Sequence, residues 1–225
     1  MKIALLLTGF VRTYNYRFPA LKRELLDKYD VDVYLSTWSK TESSLGSHLV
    51  DFDIEEFVDQ YRPWLKNYIV IPSDMMMPKI DFIDRENDVF KIDSRAISHA
   101  PIWIDRLMRQ WYLVMIGANQ INNFYDYDKI VRTRFDVELI KFDILDQPFI
   151  IPKDIGGWDF SDHLAYGNPI EMDKYLNMYS NIERLYRDYN IDITHAVNML
   201  KFYIQDYCNI LTTTDEKLKY DIRKL

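Results

Sequence analysis

A single cysteine, Cys208, stands among the 225 residues. One thiol excludes an internal disulfide and any metal site built from several cysteines. Histidine is nearly as scarce, with four in the chain. The sequence has no H-E-x-x-H, no G-x-S-x-G and no Cys–His constellation, so zinc-peptidase and α/β-hydrolase chemistries fall away. It also lacks G-x-x-x-x-G-K-[ST] and G-x-G-x-x-G, the phosphate-loop and dinucleotide fingerprints. The opening MKIALLLTGF is apolar but too short to span a membrane, and it runs directly into charged sequence. Positive charge is not in surplus. The net charge of −7 argues against general nucleic-acid binding while leaving room for a local basic pocket. With no signal peptide read at the start, the expected setting is reducing and cytoplasmic.

What is present is the composition of a globular domain, 48% hydrophobic and 28% charged, with aromatics high at 15%. Continuous apolar runs at 3–8 (IALLLT) and 31–37 (VDVYLST) read as strands covered on both faces, with YIVI at 68–71 a third. Amphipathic patterns at 17–29 and 54–65 read as helices between them. Strand, helix, strand, helix, strand is the pattern of a parallel sheet with right-handed crossovers. Residues 72–100 break the period and read as a long excursion. Further helices are expected at 102–123, 169–188 and 192–206, and further strands at 128–137, 149–152, 163–167 and 209–212. No linker or repeat divides the chain. The expectation is one α/β domain over 1–225, with a Rossmann-like, mostly parallel sheet flanked by helices.

Three stretches carry candidate chemistry. IVRTRFDVE, 130–138, puts Ile130, Arg132, Arg134, Asp136 and Glu138 on one face of a strand, and Val131, Thr133, Phe135 and Val137 on the other. Buried charges must be paired, solvated in a cleft or bound to a ligand. Ligands of open α/β sheets collect at the carboxyl ends of strands, where Arg134 and Asp136 fall. An ion-pair ladder on an edge strand is the other reading.

TGFVRT, 8–13, ends the first strand in Thr8-Gly9 and then presents Arg12, whose planar fork matches phosphate oxygens. A plain strand-to-helix turn would look the same. GGWDFSDHLAYGNPIEMDKY, 156–175, brings Trp158, Asp159 and Asp162 ahead of a short strand, and Asn168-Pro169 then opens a helix. An aromatic face with nearby carboxylates suits a sugar, although Trp158 could equally be core. One histidine, from His195 at the start of a late helix or His99 and His163 near loops, together with Asp136 would make a mixed site for Mn²⁺ or Mg²⁺.

In order, LLLTGFVRTY, DVYLSTWS, RQWYLVMIGANQINNFYDYDKIVRTRFDVEL and SDHLAYGNPIEMDKYLNMY resemble a small nucleotide-sugar glycosyltransferase of the GT-A type. The resemblance implies transfer of a sugar from a nucleoside-diphosphate donor, UDP-sugar favoured, to a hydroxyl of a glycan, lipid-linked or protein-linked acceptor, with inversion. It implies donor contacts from Thr8, Gly9, Arg12, Tyr14, Trp38, Gln110, Tyr112, Arg132 and Arg134. It further implies a base at Asp162 or Asp159, acceptor stacking at Trp158, and Mn²⁺ or Mg²⁺ on Asp136 with help from Glu138 and His195. The chain departs from the family at one point. Where an Asp-x-Asp is expected it has Arg134-Phe135-Asp136, so that Arg134 either works beside a metal or replaces it. A non-catalytic nucleotide- or sugar-binding module on the same fold is the alternative.

Overall fold

A computed structural model of the protein describes residues 1–42, 49–75, 100–153, 160–189, 191, 196–212 and 218–221. Its first half follows the expected alternation. β1 (Lys2–Gly9) leads through α1 (Tyr14–Leu21), which tightens into a π-helical turn at Lys22–Leu26, to β2 (Asp30–Trp38). A small antiparallel pair follows, β3 (Lys40–Glu42) with β4 (Leu49–Asp51). α2 (Ile54–Tyr61) is capped by the Asp53 carboxylate, which accepts from the Glu56 amide at 3.0 Å, and leads to β5 (Leu65–Ile71).

α3 (Ala100–Ala118) then brings the chain to β6 (Lys129–Arg134), β7 (Glu138–Lys141), β8 (Phe149–Ile150) and β9 (Leu164–Gly167). Three helices follow: α4 (Pro169–Leu176), α5 (Met178–Tyr189) and α6 (Ala196–Phe202), the last ending in a π-helical turn at Tyr203–Tyr207. β10 (Lys219–Asp221) pairs antiparallel with β7.

The six-stranded sheet runs β5-β2-β1-β6-β9-β8. β5, β2, β1 and β6 are parallel, and β9 and β8 close one edge antiparallel. Successive strands step outward from β1 to β2 to β5, and β6 then returns to the other side of β1. The order therefore reverses between β1 and β6, with Thr8 paired to Arg134 at the carboxyl end. A crevice at such a reversal is where open α/β sheets take ligands.

The alternating residues of β1 supply two cores. Ala4 and Leu6, with Ile130 of β6, pack beneath α3 to α6 around Trp111, Met172 and Tyr175. Ile3, Leu5 and Leu7, with Val131, pack on the other face against Leu21, Leu25, Phe57 and Tyr61 of α1, its π-helical turn and α2. α3 lies close on the sheet because Gly117 leaves room for Leu6 and Ser36. Among the described residues no helix is long and apolar enough to cross a membrane.

Three expectations are corrected, and a fourth falls mostly outside the described residues. The helix expected over 169–188 is two helices, broken at Asn177, whose side-chain amide turns back to the Asp173 carbonyl at 2.9 Å. Residues 209–212 form no strand. Asn209 has φ of +52°, and the Ile210 amide reaches back to the Ile204 carbonyl at 2.9 Å, which is a helix-terminating turn. The strand expected over 128–137 stops at Arg134, where the chain turns and the Val137 amide meets the Arg134 carbonyl at 3.4 Å. Within the excursion expected over 72–100, residues 76–99 lie outside the described residues.

Candidate functional site

The site begins where β1 runs out. Gly9 takes φ of +114°, a torsion that side-chain-bearing residues rarely adopt, and its carbonyl accepts from the Thr37 hydroxyl at 2.8 Å. This lets the chain turn sharply at the reversal point and present Arg12, one third exposed, at the carboxyl ends of β1 and β6. Its Nη2 lies 3.6 Å from Asp136 Oδ2. From the neighbouring strand, Arg134 donates to the same carboxylate twice, Nε to Oδ1 at 2.9 Å and Nη2 to Oδ2 at 2.5 Å. The turn at 134–137 folds the two side chains together, a two-pronged arrangement that fixes the guanidinium plane. Burial works against the Asp136 charge, but Arg134, with Arg12 and His163 beyond it, holds the carboxyl below its ordinary value.

Arg132, one step back on the same face of β6, is fully buried. Its guanidinium lies over the Trp111 ring at 5.6 Å, its Nε donates to Thr8 Oγ1 at 3.3 Å, and its Nη1 donates to the Asp162 carbonyl and to Tyr175 Oη. Among the described residues its Nη2 has no hydrogen-bond partner. Arg132 is thus enclosed by the groups it holds. It ties the loop before β9 to the ends of β1 and β6.

That loop carries a second polar group. Asp162 Oδ1 is 3.0 Å from His163 Nε2, and Asp162 Oδ2 accepts from Gln110 Nε2 of α3 at 2.8 Å. His163 Nδ1 meets the buried Ser161 hydroxyl at 3.1 Å, so both ring nitrogens are engaged. The Arg134 amide donates to the His163 carbonyl at 3.1 Å, which docks this loop beside the Arg134–Asp136 turn. Burial works against the Asp162 charge. Even so, the hydrogen bond and charge of His163, with Arg134 and Gln110, keep the carboxyl well below the usual carboxylate range.

Of the residues expected at the site, Thr8, Gly9, Arg12, Gln110, Arg132, Arg134, Asp136 and Asp162 come together. Glu138 does not, because the turn after Arg134 breaks the alternation and Glu138 is ion-paired with Arg17 of α1, on the opposite face of the sheet. Trp38 is 1% exposed, with the Arg109 guanidinium 5.1 Å above it and Tyr112 stacked at 6.4 Å, so its face is already taken. Tyr112 is wedged between Trp38 and Tyr179, and Tyr14 packs edge-on against Phe57 at 5.0 Å. Asp159, Trp158 and His195 lie outside the described residues. The residues not expected are Ser161 and Tyr175, while His163, expected among the histidines that could join Asp136 on a metal, faces Asp162. Ser161 was visible in S-D-H ahead of β9; Tyr175 carried no local signal.

Among the described residues the groups around Asp136 do not fit Mn²⁺ or Mg²⁺; His195, expected as a ligand, lies outside them. At an effective dielectric of about 20, a dication about 4 Å from one guanidinium is opposed by roughly 8 kcal/mol, and a single carboxylate at that distance returns about the same. Two arginines on Asp136 outweigh that one carboxylate. Among the described residues no group of three His, Cys, Asp or Glu side chains is placed to hold a metal. The guanidiniums suit an anion with several oxygens instead. No protein-family model matches the chain, and no curated protein does.

Proposed function

We propose that this protein is a nucleotide-sugar glycosyltransferase, transferring a sugar from a nucleoside-diphosphate donor, UDP-sugar favoured, to an acceptor hydroxyl. The observation that carries the reading is the meeting of Arg12, Arg134 and Asp136 beside Gly9, at the carboxyl ends of β1 and β6 where the strand order reverses. A diphosphate is the ligand this geometry suits, because Gly9 keeps the backbone turn slim and the arginines supply planar donors.

In the proposed reaction the acceptor oxygen bonds to the anomeric carbon as the bond from that carbon to the β-phosphate oxygen breaks. The electron pair of the broken bond leaves with the nucleoside diphosphate. The acceptor proton passes to the Asp162–His163 pair, whose carboxylate Oδ1 and imidazole Nε2 lie 3.0 Å apart. A single displacement of this kind inverts the anomeric centre. Orientation of donor and acceptor in the crevice contributes much of the rate.

One observation favours a second reading. The strongly stabilised Asp162 carboxylate is what a binding module without catalysis would also tolerate. Labelled UDP-sugars incubated with the protein, with and without acceptor glycans, separate the two. Release of UDP with an inverted product in NMR supports the transferase, and a retained anomeric centre overturns the single-displacement mechanism. Donor binding without turnover on any acceptor supports the module.

A further inference from the structure

The charge that builds on a departing diphosphate has to be neutralised, by a cation or by fixed donors. This chain places fixed donors at the spot. Asp136 is 6% exposed and spends both oxygens on guanidiniums, accepting from Nε and Nη2 of Arg134 and lying 3.6 Å from Arg12 Nη2. Such a carboxylate is an aiming device: it fixes the plane and direction of Arg134 before any ligand arrives. Arg134 and Arg12 each keep part of their side chains at the surface, 18% and 33% exposed. Behind them the fully buried Arg132, whose Nη2 has no partner among the described residues, adds a third positive charge. Among the described residues three guanidiniums and two carboxylates, Asp136 and Asp162, therefore gather around one strand end.

We infer that Arg12 and Arg134, aimed by Asp136, neutralise the donor diphosphate in place of a divalent cation, so that donor binding needs no metal. The inference rests on the nucleoside-diphosphate reading above. In this arrangement Asp136 is a positioning residue and the two arginines are the groups that touch the ligand. Arg132 acts through the loop it braces and through its field.

Isothermal titration of the full chain with UDP, and with GDP, ADP and CDP in its place, tests this in EDTA and again in excess Mn²⁺. The expected result is one preferred nucleotide whose affinity agrees within about twofold between the two buffers. Inorganic pyrophosphate should compete in EDTA. Arg134→Gln and Arg12→Gln should each weaken binding about tenfold or more in both buffers. Arg134→Lys, which keeps the charge but loses the fork, should fall in between. Thermal melts establish that the variants fold; if Arg134→Gln does not, Arg12→Gln keeps the test, since Arg12 is the more exposed of the two. Binding that vanishes in EDTA and returns with Mn²⁺ overturns the inference and leaves the glycosyltransferase reading standing. Unchanged affinity in both glutamine variants overturns it in the same way. Failure of all four nucleotides in both buffers overturns the reading itself and the inference with it.

Discussion

Asp162 and His163, adjacent in the chain, turn their side chains onto each other, with carboxylate Oδ1 and imidazole Nε2 3.0 Å apart. Neighbours at the mouth of a strand ordinarily point to opposite faces. Here they meet because Arg132 holds the Asp162 carbonyl and Ser161 holds the far side of the ring.

Asp162→Asn should reduce sugar transfer by about 10²–10⁴-fold in an assay with labelled donor, the range of a lost general acid–base group. Its effect on stability has a definite pH signature. The folded carboxyl is held below the ordinary aspartate value of about 3.8, so its stabilisation is fully present above that pH and is lost only as pH falls through the lower folded value. Melting curves of wild type and variant should stay apart from neutral pH to about pH 4 and converge only in stronger acid. Convergence between pH 5 and 7 would contradict the Asp162 environment described above.

Asp136→Ala releases the guanidinium that the carboxylate aims. Transfer should drop about a hundredfold or more, since small misplacements of reacting groups cost rate on that scale. UDP affinity should fall less, because both arginines are retained. Steady-state kinetics measures the first effect and titration the second; equal losses in both would mean that Asp136 contributes to binding alone.

Glu24 marks a second acid-sensitive contact, remote from the site. Hydrogen bonds from Lys28 and Arg23, assisted by the Phe142 amide, outweigh burial and bring its pKa from 4.5 down to about 2. Its contribution is present above the ordinary glutamate value and is lost as pH falls toward about 2. Both basic partners are exposed, so screening keeps the ion-pair contribution to about 1 kcal/mol. Glu24→Gln should therefore lower the melting temperature by about 2–4 °C at neutral pH. That gap should close on acidification below about pH 4.

Two glycines should separate a flexible clash from a rigid one. A Cβ at Gly117 would sit 2.7 Å from Leu6 Cδ1 and 2.9 Å from Ser36 Cβ, which are side-chain atoms. Gly117→Ala should cost about 1–3 kcal/mol in urea melts, the usual range for overpacking. A Cβ at Gly167 would collide with the Pro148 carbonyl oxygen and lie 3.0 Å from Phe149 Cα, both backbone atoms. Gly167→Ala should therefore be the more damaging, and a smaller loss than at Gly117 would show that β8 can move away from β9.

Much of the architecture was legible because it rests on local periodicity. The apolar run at 3–8 and the alternation at 129–134 need only a sheet covered on both faces to become β1 and β6. The shared face of Arg132 and Arg134 follows from period two alone. The misreadings have a common cause, in that a local pattern was carried past the point where a tertiary contact ended it. Glu138 was assigned to the site by extending the alternation through a turn, and residues 209–212 read as a strand although Ile210 caps a helix. Trp38 looked available for stacking because nothing in its own neighbourhood announces Arg109, 71 positions away, as its cover.

What the sequence determined by itself was which side chains could do chemistry, and on which strand face they would stand. Residue type and backbone period settle both, and both are local properties. Only the tertiary structure decided that Arg12 and Arg134, from separate strand ends, converge on the carboxylate of Asp136, and that Glu138 goes to Arg17 instead. Convergence depends on the return of β6 to the side of β1 and on the turn at 134–137, and neither is encoded in the charges themselves. The Arg-x-Asp of this chain is therefore one guanidinium–carboxylate unit, joined by a second arginine from the turn after β1.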